Sequence, residues 1–155
     1  MINSKEEIMT ELSEKMADLT CELAQTCNEK ENYFASTFNL TPAEFKCLRL
    51  FTKNDSRSIK IISNLMKLTP GRITHILTSL EEKQLIIRKL DPMDRRNVIV
   101  SLTANSKPFI KNLNENHIQL HTEILEKIDP EKREFVIEAM NDVIKALKKW
   151  SESLN

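Results

Sequence analysis

Between residues 85 and 102 the apolar pattern of this chain changes period. On either side of that stretch apolar side chains recur at every third and fourth position, as one buried face of a helix requires. Within it, Leu85 to Leu90 and Val98 to Leu102 are short runs of apolar and branched residues that read as strands. They flank Asp91-Pro92-Met93-Asp94-Arg95-Arg96-Asn97, which is turn-forming and charged. One hairpin with a basic tip, set among helices, restricts the chain to a mainly α fold with a small β-hairpin.

The helices follow from spacing and punctuation. Ile8, Leu12, Met16, Leu19, Leu23 and Cys27 form one stripe of a long first helix whose outer face is acidic. Thr41-Pro42 is an N-cap followed by a proline in the first turn, and Phe45, Leu48 and Phe51 give the next helix its apolar side until Asn54-Asp55. A short helix from Ser58 carries Ile59, Ile62 and Met66. Thr69-Pro70 repeats the start signal, and Ile73, Ile76, Leu77 and Leu80 form the inner side of a helix running to about Lys83. Two short helices with a tight connection make a helix-turn-helix candidate. After the hairpin, Ile110, Leu113, His117, Leu120, Ile124 and Ile128 mark one helix, and beyond Asp129-Pro130 a second carries Val136, Met140, Val143, Leu147 and Trp150. The terminal stripes exceed what a small central lobe can cover, so a homodimer is expected.

Composition removes several function classes. A single glycine in 155 residues leaves no glycine-rich phosphate cradle, and so no P-loop or dinucleotide fingerprint. No run of 18 apolar residues is present and the N-terminus is acidic and amphipathic, so a soluble cytoplasmic protein without membrane attachment is expected. Three cysteines without a CxxC pair fit a reducing compartment. No nucleophile, base and orienting residue fall into a catalytic pattern, and neither an enzyme nor a cofactor is expected. The formal charge of zero hides an asymmetry: residues 1–35 carry three bases against eight acids, while residues 56–96 carry nine bases against four acids. A local basic surface is therefore compatible with overall neutrality.

The order of elements, together with Asp94-Arg95-Arg96-Asn97-Val98-Ile99-Val100-Ser101-Leu102-Thr103, resembles the MarR family of bacterial transcription regulators, whose wing carries Asp-Arg-Arg before a strand ending in Leu-Thr. Leu40-Thr41 and the segment Thr69 to Leu85 are similar to that family's helix opening and recognition helix. The resemblance implies a winged helix-turn-helix with long N- and C-terminal dimerisation helices. Residues 40–104 would form the DNA-binding lobe, and residues 1–38 and 105–155 the dimerisation helices. It further implies a regulator, expected to be a repressor, that binds a pseudo-palindromic double-stranded operator as a homodimer and is released by a small-molecule effector or another signal. The effector would lodge between the dimer helices and the DNA lobe. Gln84 and Ser106 stand where the family usually has glycine, so each is expected to need left-handed backbone.

A recognition helix enters the major groove by its N-terminal residues. With its apolar residues turned inward, its outward set is Gly71, Arg72, Thr74, His75, Thr78 and Ser79. Arg72 is the first candidate for a base contact, with Thr74 and His75 next, and Thr69 begins a helix whose free N–H groups suit a phosphate. At the wing, Arg95 and Arg96 can reach a minor groove; the resemblance assigns the groove to Arg96 and its orientation to Asp94. One of the two arginines is also expected to form an ion pair with Asp94 or the body of the lobe. Arg88, Lys89, Arg57 and Lys60 are backbone-contact candidates.

Two alternatives keep this fold but add a sensor. His117 and His121, four apart on one helix, have the spacing of a metal-binding pair. Cys21 and Cys27 on the first helix are redox candidates, against the ordinary behaviour of cysteine as a small hydrophobe. A third alternative is a winged helix serving as a protein-interaction module.

Overall fold

The structure is a computed structural model that describes residues 4–52 and 55–154. Among these residues it contains six α-helices and three strands, and it divides into two compact units, residues 1–113 and 114–155, with the division inside the fifth helix.

The first unit begins with α1 (Ser4–Thr37), which is followed by a turn with Asn39 in left-handed backbone at φ 55°. Helix α2 (Pro42–Arg49) starts at a complete capping box: Thr41 Oγ1 accepts from the Glu44 N–H at 3.2 Å, and Glu44 Oε2 accepts from the Thr41 N–H at 2.7 Å. The helix ends at Arg49, earlier than the stop expected at Asn54-Asp55; Asn54 lies outside the described residues. Ser58 caps α3 (Ile59–Met66) by accepting from the Ile61 N–H at 3.3 Å, and α3 ends at Lys67, left-handed at φ 52°. That reversal makes the turn of the helix-turn-helix, and α4 (Pro70–Glu82) follows from Thr69. Gln84 closes α4 at φ 60°, as its glycine-like position led us to expect.

Strands β2 (Ile86–Leu90) and β3 (Val98–Leu102) form the expected hairpin. A third strand, β1 (Ser56–Ser58), pairs antiparallel with the other side of β3, so the sheet has the order β1-β3-β2. Three polar residues give no alternation to read, which is why this strand is silent in the sequence. Its register has a consequence: Arg57 and Arg88 both lie opposite the fully buried Val100. Directly paired residues point to one face, so both arginines turn toward the body of the lobe.

The core of this unit collects Phe45, Leu48 and Phe51 with Ile62, Ile73, Leu77, Leu80, Ile86 and Val100, all at most 2% exposed. Phe34 of α1 joins it through an edge contact with Phe45, ring centroids 5.2 Å apart. Helix α5 (Ser106–Glu126) begins at Ser106, which is buried and helical, contrary to the left-handed backbone expected there. Its N–H donates to Thr103 Oγ1 at 3.1 Å and its hydroxyl to the Thr103 carbonyl at 2.9 Å, so a serine serves where the family's glycine was anticipated.

In the second unit α5 continues to Glu126, a 3₁₀ turn (Pro130–Lys132) follows Asp129, and α6 spans Arg133–Glu152. Arg133 reaches back to satisfy helix-end carbonyls, donating from Nε to Leu125 and Ile128, both at 3.1 Å, and from Nη2 to Glu126 at 3.3 Å. No helix among the described residues is long and apolar enough to cross a membrane.

Candidate nucleic-acid interface

Helix α4 is amphipathic in the sense the sequence required. Ile73, Ile76, Leu77 and Leu80 are buried, whereas Thr69, Gly71, Arg72, Thr74 and His75 are exposed. The N-terminus of α4 differs from those of its neighbours. Thr41 and Ser58 cap α2 and α3 with their side chains, but Thr69, in extended backbone, makes no side-chain cap. The first-turn N–H groups of α4 thus lack the partner that the other two helices have. A Cβ placed on Gly71 would meet nothing of the chain within 4 Å. The fold itself has no need of glycine there. Thr74 Oγ1 donates to the Pro70 carbonyl at 3.0 Å, which fixes the hydroxyl of this exposed side chain.

Farther along α4 the outward residues are tied down. Arg88 of β2 donates from Nε and Nη2 to Glu81 Oε2, at 2.9 and 2.6 Å, from its backbone N–H to Glu81 Oε1 at 3.0 Å, and to Thr78 Oγ1 at 3.3 Å. These bonds hold the Glu81 carboxyl below its ordinary range, the Arg88 side-chain bond being the main cause. Arg88 and Thr78, both candidates from the sequence, are therefore joined to each other and to the end of α4. Arg57 is engaged as well, donating from Nε to the Leu50 carbonyl at 2.6 Å.

The wing tip is ordered by carboxylates acting on backbone. Asp91 Oδ1 accepts from the Met93 N–H at 2.9 Å, and Asp94 Oδ1 accepts from the Arg96 N–H at 3.0 Å. Asp94 Oδ2 accepts from Asn97 Nδ2 at 3.1 Å, while the Asn97 N–H donates to the Asp94 carbonyl at 2.8 Å. Asp94 thus orients Arg96 through its backbone. The ion pair expected for Arg95 or Arg96 is absent among the described residues: both side chains are exposed, and the charge of Asp94 is spent on N–H groups of the loop.

One cluster was not foreseen. The Glu44 side chain is 3% exposed, and besides the Thr41 N–H it accepts from the Ser79 hydroxyl at 2.5 Å and from Lys83 Nζ at 2.8 Å. Lys83 Nζ also donates to the Asn39 carbonyl at 2.8 Å. Burial pushes the Glu44 carboxyl up, but the bonds from Lys83, Ser79 and Thr41 together outweigh it, and the group ends below its ordinary value. The network ties the start of α2 and the corner before it to the last turns of α4. Ser79, read from the sequence as an outward residue, is thereby half-buried and committed to α2. The spacing Thr41-x-x-Glu44 is the sequence sign of a capping box, but nothing local links it to positions 79 and 83.

The sensor candidates lie elsewhere. His117 and His121 stack edge to face, centroids 4.5 Å apart, with His121 Nδ1 at 2.8 Å from the His117 carbonyl. Among the described residues no group of three His, Cys, Asp or Glu is placed to hold a metal ion. Cys21 is exposed, Cys27 half-buried and Cys47 buried. Burial, assisted by the nearby Glu44 carboxylate, pushes the Cys47 thiol up to about 12.

Comparison with known proteins places these features in context. The model of the MarR family matches residues 40–98, which run from the start of α2 into β3. The HTH-type transcriptional regulator MhqR of Bacillus subtilis is 27% identical over 135 residues, covering 87% of this chain and 93% of that protein. A MarR transcriptional regulator from Methanosarcina mazei Go1 superposes with a TM-score of 0.73 at 15% identity, over 88% of this chain and 98% of its own. A cysteine-to-serine mutant of MarR from E. coli, complexed with operator DNA, gives 0.69 at 20% identity, over 83% and 93%.

Proposed function

Because this chain belongs to the MarR family, we propose that its winged lobe grips a double-stranded operator through α4 and the wing, and that it acts as a repressor. It is a DNA-binding transcription regulator and not an enzyme. The observation that carries the detailed reading is the exposed first turn of α4. There Gly71 has open space around it, uncapped N–H groups face out, and Arg72 and His75 project beside them. A helix presented in this way suits the major groove, with Arg72 donating to guanine, Thr74 and His75 reaching neighbouring base edges, and the Thr69 end meeting a phosphate. Arg95 and Arg96 on the wing supply the adjacent contacts. Thr78 and Arg88, joined through Glu81, set the far end of the reading face.

The functional unit is proposed to be a homodimer on a pseudo-palindromic site. Supporting this, α1 exposes Ile8, Leu12, Met16, Leu19 and Leu23, and α6 exposes Met140, Ile144, Leu147 and Trp150, the last 62% accessible. Apolar stripes of that length are normally covered by a second subunit. Light scattering should find two chains per particle, and a Leu147→Glu variant should shift it toward one. Release by a small effector or another signal, and action in the cytoplasm, complete the proposal.

The test of base reading is binding to the DNA upstream of the protein's own gene, with a scrambled duplex as competitor. Arg72→Ala should weaken specific binding by about 1–3 kcal/mol per half-site and leave nonspecific binding nearly unchanged. Equal losses on both duplexes would overturn the assignment of Arg72 to a base. Failure of wild type to prefer any duplex would favour a protein-interaction module.

A further inference from the structure

We propose that Ser79 is a positioning residue for base reading: its bond to the buried Glu44 sets how α4 lies against α2, and so where Arg72, Thr74 and His75 meet the base edges. This rests on the reading of α4 as the helix that enters the major groove, and it gives Ser79 a role without contact to DNA. The apolar side of α4 does not fix that setting by itself. Ile73, Ile76, Leu77 and Leu80 are held by burial, which is non-directional and tolerates small rotations of a helix on its core. Directed bonds do not, and α4 has them at two neighbouring positions. Ser79 Oγ donates to Glu44 Oε1 at 2.5 Å, and Thr78 Oγ1 accepts from Arg88 Nη2 at 3.3 Å. Successive residues project about 100° apart around a helix, so the two bonds hold α4 from two sides, one from α2 and one from β2.

The Ser79 bond is the stiffer of the two. It is short, charge-assisted and made to a carboxylate 3% exposed, which the Thr41 N–H holds in turn at the start of α2. A serine hydroxyl is carried on Cβ itself, so its bond constrains the backbone of α4 directly. Lys83 reaches the same carboxylate at 2.8 Å through a flexible four-carbon stem, which adds stability but accommodates movement of the helix. Stability and position are thus served by different donors to one acceptor. Arg72 lies about two turns before Ser79, about 10 Å along the axis, so a tilt of about 6° at Ser79 moves it by about 1 Å. Rotation about the axis re-aims all three reading side chains together. Thr74 and His75 have short side chains that cannot follow such a shift, and the planar fork of Arg72 loses its two-bond fit to a base. Contacts of flexible cations with phosphate do follow it, so the shift is felt in sequence preference and not in grip.

The experiment uses the full-length chain as wild type, Ser79→Ala, Glu44→Gln and Lys83→Met. Affinity is measured for the duplex upstream of the protein's own gene and for a scrambled duplex, and the amide resonances of Gly71 and Arg72 are followed without DNA. A well-made bidentate base contact discriminates by roughly 5- to 150-fold. Ser79→Ala should therefore lower the preference for the specific duplex by about tenfold per half-site, spread over several base pairs, with scrambled-duplex affinity unchanged. Its Gly71 and Arg72 amides should shift or broaden in the free protein. Glu44→Gln should keep the preference, because glutamine also completes a capping box and the Ser79 hydroxyl can accept from the new amide as well as donate. Lys83→Met, which loses a bond to Glu44 and stability with it, should keep the preference too. A role in stability alone would lower the preference in all three variants, so a loss in Glu44→Gln or Lys83→Met equal to that in Ser79→Ala would overturn the proposal. A Ser79→Ala preference within about twofold of wild type, or unmoved first-turn amides, would do the same. So would a loss confined to one base pair, which would mean that Ser79 touches DNA itself. A wild type without preference would be failure of base reading by α4 as a whole, and the role of Ser79 would fall with it; a wild-type preference that Ser79→Ala keeps is failure of the positioning bond alone.

Discussion

Removing Lys83 tests whether the buried Glu44 cluster holds the helix-turn-helix together. The Glu44 carboxylate is 3% exposed and takes three donors, of which Lys83 is the charged one, itself 31% exposed. A hydrogen bond to a charged group contributes about 1.5–3 kcal/mol. Since water partly replaces Lys83 when it leaves, the Lys83→Met variant should lose about 1.5 kcal/mol, at the lower end of that range. Glu44→Ala removes the acceptor of all three bonds together with half of a capping box, and should lose about 3 kcal/mol. Lys46→Met is the control: its pair with Glu31 at 2.8 Å is 55% and 28% exposed, and it should change stability by about 0.5 kcal/mol or less. Urea unfolding at one fixed protein concentration measures all three, the fixed concentration removing any contribution from subunit association. The pH dependence supplies a second reading. The folded carboxyl lies below its ordinary value of 4.5, so its contribution is present above that value and lost as pH falls through the lowered one. The gap between wild type and Lys83→Met should therefore narrow in acid. A Lys83→Met variant within about 0.5 kcal/mol of wild type at neutral pH would refute the reasoning, as would a loss that stays constant as the Glu44 carboxyl is protonated.

Three further outcomes follow from local geometry. Gln84 and Lys67 occupy left-handed backbone at φ 60° and 52°, so Gln84→Gly and Lys67→Gly should each stabilise by about 0.5–1 kcal/mol; Asn39→Gly at φ 55° should be near neutral, because asparagine tolerates that region. Thermal denaturation decides this, and destabilisation by both glycines would contradict it. In Arg88→Ala the Glu81 carboxyl should rise toward its ordinary value, since the Arg88 bond is the main cause of its depression; a carbon-detected NMR titration follows it, and an unmoved midpoint would mean that something else holds it down. Cys47, with its thiol pushed up to about 12 and its side chain buried, should react with a thiol reagent only after unfolding, whereas exposed Cys21 should react at once; a Cys47 that labels in the native protein would show that the lobe opens.

The elements legible in the sequence are those whose apolar residues repeat over several turns or alternate against a turn. Helix α4 was readable because Ile73, Ile76, Leu77 and Leu80 all turn inward and Thr69-Pro70 marks its start. The hairpin was readable because Asp91 to Asn97 separates two branched runs. Strand β1 was not, since Ser56, Arg57 and Ser58 carry no period, and the strand exists by virtue of its partner β3. The same hidden strand decides the fate of Arg57. A surface cation in the sequence becomes a half-buried donor to Leu50 because the register sets it opposite Val100.

The candidate site divides along the same line. Which residues of α4 face outward follows from helical spacing, and Arg72, Thr74 and His75 lie where that spacing puts them. Which of the outward residues remain available to DNA depends on other elements. Ser79 is drawn to Glu44, thirty-five positions earlier, and Thr78 to Arg88 on β2, so the second half of the outer face of α4 is occupied by the fold while the first turn stays open. Both restraints act on the C-terminal half of the helix, and the wing tip is held by Asp91 and Asp94 through backbone N–H groups. A reading helix anchored at its far end, beside a loop whose backbone is fixed, presents Arg72, His75, Arg95 and Arg96 from defined positions on flexible stems. On this lobe Glu44 and Glu81 pair with Lys83 and Arg88, while Asp91 and Asp94 bond backbone N–H groups of the wing and leave Arg95 and Arg96 exposed. That division lets a chain of zero net charge keep a face suited to phosphate.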